Sequence, residues 1–245
     1  MIGTLFREIL YRPLFNILVF LYETVALRDL GLAIILFTLF IRVILYPLFH
    51  QTAKHQKLSQ KLQPEIKQIK ERHKDREAQT KAIIELYQKN KISPLTPFAL
   101  LLVQLPILIA LYRIFINGFT EGALGLLYSF VPRPEFFNQT LFGLVGLDAV
   151  SLPLVVIATG LQYLQGRLAF KPQAAGVKNT GMLKLTVLIF PALTFFILMK
   201  FPAALSLYWL SSTAFSIIQQ VVVNRSLAKR DVSDGGTKRK NRKTG

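Results

Sequence analysis

DLGLAIILFTLFIRVILYPLF, residues 29–49, decides how this chain is read. From Leu30 to Phe49 the run is apolar and long enough to cross a bilayer, for which about 20 residues suffice. Its single permanent charge is Arg42. A charge at the centre of a membrane helix costs about 2.5–3.5 kcal/mol on insertion scales. Arginine does not escape by losing its proton, so Arg42 is expected to face protein, water or a partner rather than lipid. A functional cavity is therefore the first expectation.

The rest of the composition agrees with a membrane setting. The 245 residues are 52% hydrophobic yet carry a formal net charge of +17. Those properties compete for the same surface in a soluble domain, but they coexist when apolar residues form spans and charge fills the loops. The absence of cysteine excludes disulfides, zinc–thiolate sites, cysteine nucleophiles and a lipid-modified N-terminal cysteine.

The expected fold is an all-α polytopic membrane protein with five transmembrane helices, at 29–50, 95–116, 148–165, 183–200 and 203–223. A cytoplasmic helical hairpin, 51–93, joins the first two. The 51–93 connection, the 167–184 connection and the tail after Asn224 are rich in Lys and Arg, whereas 118–148 has Arg133 as its only basic residue. The positive-inside rule then places the N-terminus outside and the C-terminus in the cytoplasm. Residues 1–28 resemble a signal peptide in having Arg7 and Arg12 ahead of an apolar stretch, but Pro13 and Asn16 interrupt it and no small-residue cleavage pattern follows. Leu5, Phe6, Ile9 and Leu10 repeat at helical spacing opposite Arg7 and Glu8, which predicts an amphipathic interfacial helix on the outer surface; an uncleaved signal or a short sixth span is the alternative.

In the hairpin, Leu58, Leu62, Ile66 and Ile69 recur at helical steps, as do Ile83 and Tyr87. Pro64 suits the first turn of a helix, and Lys74-Asp75-Arg76 suits a turn. The hairpin reads as a solvated cap or as a docking element. The tail, 224–245, ends in basic, glycine-punctuated sequence and is expected to be disordered. Its Lys238, Arg239, Lys240, Arg242 and Lys243 suit ribosomal RNA phosphates, anionic lipid headgroups, or a topology signal alone.

Polar residues inside the spans outline the candidate site. Thr38 shares a helix face with Arg42. Gln104 lies in the second span, Thr159, Gln162 and Gln165 in the third, and Thr186 and Thr194 in the fourth, where Pro191 predicts a kink. The fifth has Ser206, Thr213 and Gln220 at seven-residue steps, with Trp209 and Ser216 beside that stripe. A lone Ser, Thr or Gln in a span is usually interhelical glue, but apart from the terminal residues Asp29 and Asp148 no Asp or Glu occurs in any span to neutralise Arg42. A hydrated pocket is expected rather than a closed salt bridge. No spacing fits a metal site, a P-loop or an acid–base pair, so neither enzyme chemistry nor a cofactor is expected.

These segments together resemble the YidC-type membrane protein insertases of the Oxa/Alb insertase superfamily. LGLAIILFTLFIRVILYPL resembles the family's first core span, with its R-x-x-L-x-P-L signature at Arg42, Leu45, Pro47 and Leu48. KLQPEIKQIKERHKD and ELYQKNKISPL are similar to its cytoplasmic hairpin, LLVQLPILIALYRIF to its second span and LQYLQGRLA to its third. FPAALSLYWLSSTAFSIIQQ is similar to its last. Thr213 and Ser93 stand where the family has asparagine, and the Gly-Cys pair after Pro94 is missing. Against the members that carry a large extracytoplasmic domain, the resemblance leads us to expect a minimal core form.

The resemblance implies a hydrophilic groove in the inner leaflet, open to cytoplasm and lipid, with Arg42 as its positive residue and Gln165 and Trp209 in its lining. It implies nascent membrane proteins as substrates, with the ribosome, the Sec translocon and anionic lipids as further partners, no DNA, and a bacterial plasma membrane. A small-solute channel or transporter with a polar cavity is the competing expectation, although no inverted repeat or intramembrane acid supports it.

Overall fold

Six of the helices carry proline at the same early position, while Pro106 lies inside a helix. The computed structural model describes residues 2–93, 96–117, 119–169 and 185–241. Its helices are α1 (Ile2–Phe6), α2 (Arg12–Thr24), α3 (Leu30–Ile44), α4 (Tyr46–Lys61), α5 (Gln63–Arg72), α6 (Arg76–Lys89), α7 (Thr96–Asn117), α8 (Glu121–Leu124), α9 (Leu152–Ala169), α10 (Phe190–Leu198) and α11 (Ala203–Asn241). Pro13, Pro47, Pro64, Pro97, Pro153 and Pro191 are each the second residue of a helix. An N–H in the first turn has no intrahelical partner, so proline forfeits nothing there. It does break continuity with whatever precedes it. Pro13 follows a π-helical turn, Arg7–Tyr11, and Pro191 follows another, Leu185–Ile189.

Pro47 alters the decisive segment. The sequence predicts one span over 29–50, but the helix ends at Ile44 and α4 departs from α3 at 68°. Pro47 has no N–H to give the Val43 carbonyl, so the chain turns at Leu45. Among the described residues no single helix is long and apolar enough to cross a membrane, and only the bent pair Leu30–Ile44 plus Tyr46–Ser59 passes that test together. The other expected spans fall on α7, α9, the Leu185–Leu198 pair and the first half of α11, while residues 183 and 184 lie outside the described residues.

The core is built where α11 packs on α9 and α3, with α2 laid against α3. The N-terminal segment packs differently along its length. Leu14, Phe15, Leu18, Val19 and Tyr22 of α2 repeat at helical spacing and are buried in the main core. Exposed apolar groups remain on the first turns, at Leu5 and Ile9, and at Phe20 of α2. The stripe expected to lie on lipid is thus continued by one that packs on protein. Asn16 is buried there and satisfied three ways: it donates to the Arg12 and Leu126 carbonyls at 2.8 and 3.1 Å and accepts from Tyr128 N–H at 2.6 Å.

The 119–151 connection closes one end of the bundle. Its β1 (Thr140–Leu141) and β2 (Val145–Gly146) form a short antiparallel pair, a small departure from an all-α fold. Ala203 and Ala204 N–H groups, orphans at the start of α11, donate to the Ala149 and Leu147 carbonyls at 2.8 and 3.1 Å. Asp29 caps α3 by accepting from Leu32 N–H at 2.7 Å, and its other oxygen accepts from Phe142 N–H at 2.5 Å. At Gly31 an added Cβ would lie 2.8 Å from the Cα of Leu141. Gly31→Ala is therefore expected to cost about 1–3 kcal/mol by overpacking, read as a lower thermal midpoint in detergent.

Helices α5 and α6 pack through a second small core of Leu62, Ile66 and Ile92, with Leu58, Ile83, Leu86 and Tyr87 around it. Asp75 caps α6, accepting from Ala78 N–H at 2.8 Å. Helix α11 runs on through Asn241, past residue 224, from which the sequence predicts disorder. A helix already nucleated over a long apolar stretch extends one residue at a time at little cost, and basic residues near its C-terminus suit the helix dipole.

Candidate functional site

One turn of α11 gathers contacts from three other helices. From α3, Arg42 Nε donates to Ser212 Oγ at 3.1 Å, and its Nη2 donates to the same oxygen. From α7, Gln104 Nε2 donates to the Tyr208 hydroxyl at 2.6 Å. On α9, Gln162 Oε1 accepts from Trp209 Nε1 at 3.1 Å. Tyr208, Ser212 and Ser216 stand four residues apart and share a face of α11, and Ser216 Oγ donates to the Ser212 carbonyl at 3.0 Å.

Arg42 faces inward, and it is drier than the sequence predicts. It is 8% exposed, with its guanidinium carbon 4.1 Å from the centre of the Phe49 ring. The bend at Leu45 makes this possible by placing the first turns of α4 beside the end of α3. A desolvated cation over an aromatic face gains about 2 kcal/mol. Nη1 is buried and has no hydrogen-bond partner among the described residues. An unmet buried donor costs about 1–3 kcal/mol, more when charged. The guanidinium is thus held on one hydroxyl and one ring face, with unused donor capacity. Gln219 Nε2 donates to the Tyr46 carbonyl at 3.3 Å and ties α11 to the start of α4.

The other candidate residues divide into groups. Gln104, Gln162 and Trp209 belong to the converging set, and Ser216 shares the face of α11 but donates to the Ser212 carbonyl of its own helix. Thr38 is buried, but its hydroxyl donates to the Ile34 carbonyl of its own helix at 2.6 Å, away from Arg42. Ser206 is fully buried, and its hydroxyl has no partner among the described residues. Thr213 and Gln220 are buried and Gln165 is half-buried. Thr186 lies in the second π-helical turn, and its side chain is outside the description, as are those of Lys238, Arg239 and Lys240 in α11. Arg242 and Lys243 lie outside the described residues.

Sequence reasoning missed Ser212, Tyr208 and Phe49. A seven-residue step selected 206, 213 and 220, whereas the row that meets other helices runs through 208 and 212. Testing the fifth span at four-residue steps would have exposed that row. Ser212→Ala leaves Nε and Nη2 without their acceptor and is expected to destabilise the fold by about 1–3 kcal/mol, measured as a drop in thermal midpoint. The charge remains in place.

The chain as a whole is similar to known proteins. Residues 20–230 match the family described as 60Kd inner membrane protein. A Geobacter metallireducens protein named membrane protein insertase YidC is 33% identical over 220 residues, which cover 89% of this chain and 37% of that protein. A Fusobacterium nucleatum protein of the same name is 30% identical over 217 residues, covering 87% of this chain and 96% of its own length. The chain therefore spans well under half of the Geobacter relative and nearly all of the Fusobacterium one. A solved crystal structure of an active YidC insertase, with its first transmembrane domain resolved, aligns at a TM-score of 0.58 and 26% identity over 87% of this chain and 45% of the other.

Proposed function

This chain belongs to the 60Kd inner membrane protein family, and we propose that it inserts nascent membrane proteins into a bacterial plasma membrane. In this reading five spans cross the bilayer: α3 with the first turns of α4, then α7, α9, the 183–200 segment and the first half of α11. The N-terminus is outside, and the α5–α6 pair and the tail are cytoplasmic.

One observation carries the proposal: an inward-facing guanidinium has no carboxylate counter-ion and keeps one buried donor unused among the described residues. A charge so placed attracts an acidic guest. The polar tail of a nascent protein enters between α3, α9 and α11 from the cytoplasmic side. Its carboxylate meets Nη1, and the flexible Phe49 ring swings off the guanidinium as water follows. Ser212 holds the fork in place. The guest's apolar segment then moves sideways into lipid. For each acidic residue carried outward, the membrane potential supplies about 2.3 kcal/mol per 100 mV. Lipid partitioning of the apolar segment supplies more, so nucleotide hydrolysis is unnecessary.

The test is reconstitution of the purified chain in liposomes, with insertion of a short single-span substrate followed by protease protection. Insertion that depends on Arg42 supports the proposal. Insertion lost on removing 224–245 but indifferent to Arg42 identifies a passive ribosome or lipid receptor. Solute flux without insertion identifies a transporter.

A further inference from the structure

We propose that the β1–β2 tip anchors the protein in the interfacial layer of the outer leaflet, with Phe142 and Leu144 as the inserted side chains. The inference rests on the reading of α3 as a membrane-crossing element.

Residues Leu141–Leu147, LFGLVGL, contain no charged or hydrogen-bonding side chain. Leu147 is buried in the main core with Leu141 and Val145 packed against it, while Phe142 to Leu144 form a projecting turn. Phe142 is 63% and Leu144 85% exposed. The turn is held at φ +53° for Phe142 and +69° for Gly143, closed by Leu144 N–H on the Leu141 carbonyl at 3.0 Å. Positive φ is natural for glycine but disfavoured for a bulky side chain. The fold therefore holds Phe142 outward against its own backbone preference.

The tip's position identifies what it meets. The Asp29 carboxylate binds the first turn of α3 and the Phe142 N–H together, and Gly31 abuts Leu141. The tip is thus fixed at the level where α3 begins. Leu27, 89% exposed on the turn just before Asp29, adds a third apolar group at that level. At the end of a membrane span the surrounding medium is the headgroup–acyl boundary, where apolar side chains on an uncharged turn are favoured and aromatic residues concentrate. Two separate connections, one before α3 and one from β1 to β2, present apolar groups there. That fits a continuous lipid layer better than a single partner.

The cysteine-free sequence makes the test direct. The full chain carrying Leu144→Cys or Leu39→Cys is labelled with an environment-sensitive nitrobenzoxadiazole probe and reconstituted in phosphatidylcholine–phosphatidylglycerol vesicles. Quenching is measured with aqueous iodide and with lipids bearing shallow or deep nitroxides. The expected result is deep-nitroxide quenching at 39. At 144, shallow-nitroxide quenching should accompany a severalfold loss of iodide quenching relative to the denatured protein. If the 39 probe is deep but the 144 probe stays open to iodide, the anchor is overturned while the spanning reading survives. A 144 probe shielded from both iodide and nitroxide overturns it in favour of a protein partner or second copy. A 39 probe untouched by lipid nitroxides overturns the spanning reading, and the anchor with it.

Discussion

Arg42→Ala is expected to slow insertion of a substrate with an acidic translocated tail by about 10–100-fold, corresponding to a loss of about 1.5–3 kcal/mol for a hydrogen bond to a charged group. No acid in any span pairs with Arg42, so its charge is available to a guest. Substrates with neutral tails should be affected only a few-fold, because they lose a polar contact but no charge attraction. Arg42→Lys restores the charge but not the planar fork that holds two donors on Ser212, so its rate should fall between wild type and Arg42→Ala. The alanine variant should still fold, since removing a buried guanidinium also removes its desolvation cost. Initial insertion rates in proteoliposomes, with thermal midpoints measured in parallel, separate loss of function from loss of structure.

Phe15→Ala should cost about 3–5 kcal/mol, the usual range for truncating a fully buried phenylalanine. Phe15 has no exposed surface and stacks on Tyr11 with ring centres 6.1 Å apart. For a chain of this size the loss corresponds to a midpoint lower by roughly 6–20 °C. Ile9→Ala, one and a half turns earlier on an exposed position, should stay within about 0.5 kcal/mol. Thermal unfolding of both variants in the same detergent checks the contrast. A helix lying on lipid would show the two costs close together.

That contrast marks what could be read from sequence. Arg42 was conspicuous because a lone charge in an apolar run has few permissible surroundings, and the structure does turn it inward. How dry it is could not be read, because Phe49 reaches it only through the 68° bend before α4. Pro47 signals a break but not its angle. The apolar stripe of residues 5–10 was visible, yet periodicity gives a face without naming its partner, and while Leu5 and Ile9 stay exposed, the stripe that follows on α2 packs on α3 and the core. Ser212 was hidden among hydroxyl residues that all suit a membrane helix, and only the neighbouring helices distinguish it from Ser206. Disorder in the tail was inferred from composition, which omits the continuity of a helix begun more than twenty residues earlier. The tip at Phe142 had no signal in periodicity, because its position depends on a carboxylate more than one hundred residues away.

The most direct measurement is disulfide trapping from Ser216→Cys, one turn beyond Ser212 on the converging face, with a substrate carrying one cysteine beside the acidic residue of its translocated tail. Trapped during insertion, the substrate should join the chain at 216, and Arg42→Ala should remove most of that adduct. A substrate that inserts at the wild-type rate while trapping on a lipid-facing cysteine at Leu39, and never at 216, would contradict the role given to Arg42.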